Sequence, residues 1–231
     1  MKHAMSRRGF VGSITAATLA GAGALGRAQL AGAAAAPAAT LEAESLGDGL
    51  LWIRGAGANL LALRDARGLL FIDGGLARHA DAVLQLARQQ LGDGEAHTLL
   101  NTHWHAEHTG LNEKLGAAGA QIIAHEHTRL WLSTTVRYTP DGPPIRPLPE
   151  PAQPNRTTWS DGTLQAGNET LRYAVMAQAH TDGDLYVKLE KANVLVTGGV
   201  VAGNGWPTPD WVTGGWITGT VGGYRTLIAQ R

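Results

Sequence analysis

Short apolar runs separated by glycine-containing turns mark the chain from about residue 50 onward. Residues 50–53, 59–64 and 68–72 are three such runs, and their length and spacing predict successive strands. Residues 77–91 instead place apolar side chains three and four positions apart, which predicts a helix with one buried face. The sequence Gly-Asp-Gly at residues 92–94 predicts the end of that helix.

The same two patterns continue along the rest of the chain. Further strands are predicted at residues 97–101, 121–124, 170–176, 184–189 and 193–197, and further helices at residues 111–117, 126–136 and 224–230. Strands that alternate with helices, together with several strands in direct succession, predict a mixed α/β domain. Seven of the ten prolines lie in residues 140–154. This segment is therefore predicted to be a long surface loop, either an inert connection or a lid.

Residues 1–39 differ in composition from the rest of the chain. Lys2, Arg7 and Arg8 open the segment without an acidic residue, a weakly apolar run covers residues 9–25, and alanine-rich sequence continues to residue 39. This layout is typical of an export signal, and the Arg pair followed by Gly-Phe-Val resembles the twin-arginine type. The apolar run is too short and too weakly apolar to span a membrane.

These observations predict a division of the chain into two parts. Residues 1–39 are expected to be a twin-arginine-type leader that is cleaved within residues 31–39, and residues 40–231 are expected to form the folded domain. The domain is expected to be periplasmic or secreted, with no membrane span once the leader is removed.

The charges and the cysteine count exclude several classes of function. The chain has 19 Lys and Arg and 19 Asp and Glu, and four of the basic residues lie in the leader, which leaves 15 basic against 19 acidic side chains in residues 40–231. A nucleic-acid partner is not expected, because it would need clustered Lys and Arg. There are no cysteines, so any metal must be held by His, Asp or Glu.

Three histidines have the arrangement of a zinc site. His103 and His105 lie in the sequence Thr-His-Trp-His-Ala-Glu-His-Thr-Gly, which follows a predicted strand. Residues two apart in extended chain point the same way, so both imidazoles can reach one ion. Catalytic zinc usually takes three protein ligands and a water. His180 is the best third candidate, because it follows an apolar strand in a turn-rich stretch.

These motifs, in this order, resemble the signature of the metallo-β-lactamase superfamily: His-X-His-X-Asp-His after a strand, then a His in a glycine-rich loop. Residues 71–75, which read Phe-Ile-Asp-Gly-Gly, resemble the family's early strand that ends in Asp-X-Gly. The resemblance implies a four-layer αββα sandwich with the metals at one rim of the sheets. It also implies that Asp73 is a buried residue that supports the metal ligands.

The other histidines are expected to be ordinary polar residues. His79 lies on a predicted helix and His97 opens a predicted strand. His125 and His127 form a second His-X-His pair, but the family does not use the equivalent strand end, Ala-His-Glu, to bind metal. We therefore expect no metal there.

The chain departs from the family pattern in the second metal site. Glu107 stands where the family has an Asp, and Gly199 stands where it has an Asp that bridges two metals. No His follows His180, so the late Gly-His of the family is missing. This leaves at most His108 and Glu107 as a weak second site, and one zinc is expected. The last strand and helix of the fold are also expected to be missing, which would uncover apolar surface and favour self-association.

The resemblance implies a hydrolase with a single zinc. Zinc held by three His lowers the pKa of its water toward about 7 and supplies hydroxide, while Glu107 orients that water or accepts its proton. The expected substrate is a small ester, thioester, lactone or lactam-like molecule. Trp206, Trp211 and Trp216, with Gly and Pro between them, are interpreted either as an aromatic wall against this substrate or as core-filling residues. The alternative is a degenerate relative that binds zinc or a small ligand without turnover.

Overall fold

The computed structural model describes residues 40–203 and 205–230, so the predicted leader at residues 1–39 lies outside the described residues. In the described part of the chain, no helix is both long and apolar enough to cross a membrane. The described residues form two β-sheets. The larger sheet has seven strands in the order of the chain: β1 (Glu42–Gly47), β2 (Leu50–Arg54), β3 (Leu60–Asp65), β4 (Gly68–Ile72), β5 (Ala96–Leu100), β6 (Gln121–His125) and β7 (Arg156–Thr158).

The smaller sheet has four antiparallel strands, and the helices lie outside the two sheets. Its strands are β8 (Gly162–Ala166), β9 (Glu169–Met176), β10 (Asp184–Leu189) and β11 (Val194–Val196), with β8 and β11 at the edges. The helices are α1 (Ala80–Leu91), α2 (Asn112–Ala117), α3 (Glu126–Ser133) and α4 (Ile217–Ile228).

Three apolar clusters hold four layers together. One cluster joins α1 and α2 to the outer face of the larger sheet, a second fills the space between the sheets, and a third joins α4 to the smaller sheet. Strand β4 shows why the larger sheet packs on both of its faces. Its alternate residues belong to different clusters: Leu69 and Phe71 pack toward α1, while Leu70 and Ile72 pack toward the smaller sheet. The predicted αββα sandwich is confirmed by these layers.

The elements that the sequence pattern missed are short or exposed. All six residues of β1 are exposed, so no buried alternation marks it, and β7 has only three residues. Helix α4 begins at Ile217 and not at the predicted residue 224. Its three glycines lower its helix propensity, and the sequence pattern therefore did not predict its first part. Gly219 is needed for close packing, since a Cβ there would overlap the carbonyl group of Gln178.

The topology brings the functional loops to one edge of the larger sheet. Strands β4, β5, β6 and β7 are parallel, so their carboxyl ends lie at the same edge. Asp73 follows β4, the histidine-rich loop follows β5, and His125 ends β6. The backbone N–H of Leu185, in β10, donates to the carbonyl oxygen of Thr102 (2.8 Å). The second sheet therefore meets this loop directly.

Candidate metal centre

The buried carboxylate of Asp73 fixes the position of the loop that follows β5. Asp73, 1% exposed, accepts hydrogen bonds from the backbone N–H of Thr102 (2.8 Å) and from the Thr102 hydroxyl (2.9 and 3.0 Å). It also contacts His108 Nδ1 at 2.8 Å. Asp73 has a φ of 63°, a conformation that Asp tolerates better than most residues. This backbone turn places the Asp73 carboxylate under the histidines, as the resemblance implied.

Three imidazoles converge above this carboxylate. The ring centroids of His103, His105 and His180 are each 4.8 Å from the other two. Each ring offers one nitrogen to a common point, and these nitrogens all lie within 4.8 Å of one another. The structure therefore brings together the three histidines that the sequence selected.

An oxygen atom holds the other nitrogen of each ring. The three pairs are His103 Nδ1 with Thr102 Oγ1 (3.1 Å), His105 Nε2 with Asp210 Oδ2 (2.9 Å), and His180 Nδ1 with Thr208 O (2.9 Å). A carbonyl or carboxylate oxygen only accepts, and the Thr102 hydroxyl already donates to Asp73. Each outer nitrogen must therefore carry the proton, and this fixes the tautomer.

The inward nitrogens are consequently bare lone pairs that face one another. His103 Nε2 is buried and has no hydrogen-bond partner among the described residues. His180 Nε2 lies 3.2 Å from His105 Nδ1, a short separation for two lone pairs with nothing positive between them. Buried polar atoms without partners are costly, and three neutral imidazole nitrogens are the donor set that zinc prefers. The residues present therefore fit a metal ion.

Asp210 is the functional residue that sequence reasoning missed. Besides His105, its carboxylate accepts hydrogen bonds from the hydroxyls of Tyr138 (2.9 Å) and Thr213 (2.6 Å) and from the backbone N–H of Val212 (3.2 Å). A usable signal was present, because Asp210 is the only acidic residue after Glu190. The family pattern has its carboxylate at the strand end, position 199, whereas the carboxylate of this chain lies in the loop that follows.

The pKa values of the centre follow these contacts. Burial lowers the pKa of His105, but its hydrogen bond to Asp210 and its contact with Glu107 outweigh burial and raise the pKa to about 9. Burial and the neighbouring His105 lower the pKa of His180 to about 4. Burial, with His108, His105 and His180 nearby, holds the pKa of His103 well below its ordinary value. His105 is thus the one imidazole of the three whose pKa is raised, because it is the ring held by a carboxylate.

The proposed second set of ligands does not converge in the same way. His108 Nδ1 is held by Asp73, and Glu107 Oε1 lies 3.7 Å from His105 Nδ1. The contact with His105 lowers the pKa of Glu107 to about 2. Across residues 40–203 and 205–230, only His103, His105 and His180 form a group of three or more ligands close enough to share an ion.

The two glycines that follow β11 are required because Thr102 and His180 lie close to their backbone. A Cβ on Gly199 would lie 2.7 Å from His180 Nε2, and a Cβ on Gly198, whose φ is 55°, would lie 2.8 Å from Thr102 Oγ1. The His180 ring thus fills the space that a side chain at position 199 would need. An Asp cannot be restored there without moving a histidine of the triad.

A cavity of about 680 Å³ opens on the centre. His103, His180, Glu107 and His108 line one end of it, together with Trp206. Trp206 is 91% exposed.

The structure does not place Trp211 and Trp216 on the cavity wall. In the turn that follows Pro209, Asp210 points inward to His105, and Trp211 is left 68% exposed on the outside. The predicted aromatic wall thus reduces to Trp206. No described residue of the proline-rich loop 140–154 lines the cavity, and that loop instead accepts a hydrogen bond from Asn112 through the carbonyl oxygen of Ala152 (2.9 Å).

The fold and the site together define a class of protein: an αββα sandwich with a three-histidine cluster that could hold a metal at one rim of its sheets. A family model described as the metallo-β-lactamase superfamily matches residues 54–230. The chain belongs to the metallo-β-lactamase superfamily. A comparison with curated proteins found no match.

Solved structures share the fold at low sequence identity. A metallo-β-lactamase from Pontibacter korlensis has a TM-score of 0.64 at 16% identity and covers 83% of this chain and 86% of its own. A metallo-β-lactamase of Cronobacter sakazakii with a HARLDQ motif gives 0.65 at 18% identity, covering 83% and 75%. BJP-1, a subclass B3 enzyme of Bradyrhizobium japonicum, gives 0.59 at 20% identity, covering 84% and 74%. Identities this low establish the shared fold and leave the substrate open.

Proposed function

We propose that the chain is a hydrolase that holds one zinc ion with His103, His105 and His180. The observation that carries this proposal is the set of three inward lone pairs, each backed by an oxygen on the outer nitrogen. This oxygen–histidine arrangement fixes ring orientation and raises ligand basicity in metal sites. The proposed substrate is a small ester, thioester, lactone or lactam.

Zinc in such a site supplies an activated water and polarises a carbonyl oxygen. Glu107 is the residue placed to move the proton, because it is ionised at neutral pH and its side chain is 42% exposed beside His105. An ionised carboxylate at the cavity wall orients a water molecule or accepts its proton. Asp210 holds His105 in position, and Asp73 holds His108 and the loop that carries His103.

Metal content tests the binding part of this proposal. The purified chain should hold close to one zinc per molecule by inductively coupled plasma mass spectrometry, and His103→Ala should lose it. His97→Ala is the matched control, because His97 lies at the start of β5 and pairs with Asp65 (3.1 Å) away from the centre. Absence of zinc from the folded chain would contradict the proposed site.

The second candidate is a relative that binds zinc without turnover. It is favoured by the longer Glu107 in place of an Asp and by the lack of a carboxylate at Gly199, since a displacement of about 1 Å can cost roughly a hundredfold in rate. The two candidates differ in Glu107→Gln. In a hydrolase this change should reduce kcat for an ester by about 10²-fold or more and leave zinc bound. A zinc-loaded chain that cleaves no ester, thioester, lactone or lactam would support the binding candidate.

We also propose that the chain is exported before it acts. The support is the arrangement of residues 1–39, with paired arginines, an apolar run and an alanine-rich region. In a bacterial host, the native chain should be recovered from the periplasmic fraction. Replacing both arginines, Arg7→Lys with Arg8→Lys, should retain it in the cytoplasm. Equal periplasmic recovery of both chains would contradict the twin-arginine route.

A further inference from the structure

The cavity at the metal centre extends well beyond the histidines. It follows the gap between β11, at the edge of the smaller sheet, and the inner face of the larger sheet. Val196 lies at the metal end, because residues 197–199 follow it directly, and Val194 lies two residues further away, opposite Leu189. On the other wall, Leu61 pairs with Ile72 near the metal end, and Leu46 lies at the far end, beside the β1–β2 turn.

Away from the histidines, the walls of this cavity are apolar along its length. Its walls carry Leu46, Trp52 and Leu61 from the larger sheet, and Val194 and Val196 from β11. An apolar chain buried here is stabilised by about 25 cal/mol for each Å² removed from water. The cavity volume of about 680 Å³ is in the range of small-molecule sites. One cavity therefore joins a polar, metal-binding end to an apolar end.

The cavity offers no positive side chain to an anionic substrate. Among the described residues that line it, the charged side chains are the carboxylates Asp73 and Glu107, and there is no Lys or Arg. Lys191 lines an adjoining depression, which shares Leu46 with the cavity, and its charge is paired with Asp48 there (2.7 Å). Burying a charge without a partner is far more costly than burying an apolar group.

Arg54, two residues after Trp52 and at the metal-side end of β2, does not change this conclusion. Its guanidinium lies over the Trp52 ring, 4.4 Å from the ring centroid, and pairs with Glu42 (3.1 Å). Arg54 is not among the residues that line the cavity. Its charge is therefore already paired with a carboxylate of β1.

We propose that this site takes an uncharged carbonyl compound with an apolar chain, and that it discriminates against substrates with a carboxylate on that chain. The carbonyl group lies at the histidines and the chain lies between β11 and the β1–β3 face. This inference rests on the proposed function for the reaction itself, in which water cleaves an ester into an acid and an alcohol. The selectivity for an uncharged chain is a property of the cavity and is measurable without turnover.

Binding of two matched ketones tests the inference directly. Nonan-2-one and 8-oxononanoate have the same length and the same methyl ketone, and differ only in a distal carboxylate. Both are titrated by calorimetry into the chain freed of metal by chelation, so that the carboxylate has no ion to bind. Nonan-2-one should bind at least about tenfold more tightly, because the distal charge would be buried without a partner.

A lysine at the far end of the cavity should change this selectivity. Leu46 is 37% exposed and lines the cavity, so Leu46→Lys places a cation there without removing a core residue. The affinity ratio should fall by about threefold to fivefold, the size of a partly exposed ion pair. Leu130→Lys is the control, because Leu130 is 44% exposed on α3 and does not line the cavity. The ratio should not change in that variant.

The outcomes separate this inference from the proposed function. Weak binding of nonan-2-one, equal binding of both ketones, or an unchanged ratio in Leu46→Lys would overturn the inference. On the zinc-loaded chain, kcat/KM for p-nitrophenyl octanoate should exceed that for mono-p-nitrophenyl suberate, which carries a distal carboxylate. Turnover of both esters at the same rate would contradict the selectivity for an uncharged chain but not the proposed hydrolase function. Selective ketone binding without turnover of any ester would contradict the proposed hydrolase function but not the selectivity.

Discussion

Two His-X-His pairs lie at the ends of neighbouring parallel strands, and the structure gives them different roles. His103 and His105 follow β5, and His125 and His127 lie at the end of β6 and the start of α3. In the first pair, the outer nitrogens bond to oxygen and the inner nitrogens meet a third ring, His180. The spacing of two residues is the same in both pairs, so spacing cannot explain the difference.

The second pair uses its nitrogens for local structure. His125 Nδ1 accepts a hydrogen bond from the backbone N–H of His127 (3.1 Å) and so caps α3. His127 Nδ1 lies 3.2 Å from the carboxylate of Asp182, and the Trp159 ring lies 5.1 and 4.9 Å from the two imidazoles. No third ligand joins these rings among the described residues. The first pair therefore differs from the second in the third imidazole that lies against it.

The largest expected difference is in zinc affinity. His105→Ala should weaken zinc binding by more than about a hundredfold, because even the loss of a residue that only supports a ligand costs 10–100-fold. His127→Ala, the residue at the same place in the second pair, should bind zinc as the unaltered chain does. Competition with a chromophoric chelator measures both affinities. A similar loss in both variants would show that the two pairs do not differ as proposed.

The carboxylate beside each pair should also affect zinc affinity differently, by a smaller factor than the histidines do. Asp210→Asn keeps an oxygen for the His105 N–H but removes the charge that raises the pKa of His105. Zinc affinity should therefore fall by about tenfold or somewhat more. Asp182→Asn is the control at the second pair, because Asp182 contacts His127 and Trp131. The same chelator competition should show no change there, and a loss equal to that of Asp210→Asn would remove the distinction.

The fold and the triad could be predicted because local sequence determines them. Strand β4 is a buried apolar run, and its position before Asp73 is set by chain order. The loop of His103 and His105 follows a strand, so its place at the sheet edge also comes from chain order. His180 lies 75 residues from His105, but its place after an apolar strand in a turn-rich stretch selected it, and the resemblance to the family supported the choice.

The roles that could not be predicted depend on contacts across long stretches of chain. Asp210 reaches His105 across 105 residues, and no local pattern connects the two. Trp206, Trp211 and Trp216 look alike in the sequence, but the turn that points Asp210 inward leaves Trp211 on the outside, and only Trp206 lines the cavity. Sequence reasoning selected the three histidines of the candidate centre and missed the residue that holds one of them.

The second pair should affect stability where the first affects metal binding. His125→Ala removes the N-cap of α3, which should cost about 1 kcal/mol of unfolding free energy and leave zinc affinity unchanged. Urea unfolding followed by circular dichroism measures this difference. His97→Ala, on β5, is a comparison variant that removes a histidine without removing a cap. An unchanged midpoint in His125→Ala would contradict the capping role.

The smallest expected effect is a pH dependence specific to His125. Burial, with His127 beside it, lowers the pKa of His125 below its ordinary value of 6.5, although the carboxylates of Asp182 and Glu126 oppose the shift. Between this lowered pKa and 6.5, His125 therefore binds more proton in the unfolded chain than in the folded chain. Since stability rises with pH wherever the unfolded state holds more protons, His125 should make the fold less stable as the pH falls through 6.5.

His125→Asn isolates this contribution, because Asn is a good N-cap and does not titrate. Unfolding free energies of both metal-free chains are measured in urea at pH 7.5 and pH 5.5. The unaltered chain should lose more stability over this interval than His125→Asn does. Other titrating groups, including His105 with its raised pKa, are present in both chains and cancel in the difference. An equal loss in the two chains would show that His125 takes up its proton as readily in the folded chain as in the unfolded one. Burial of His125 would then not lower its pKa.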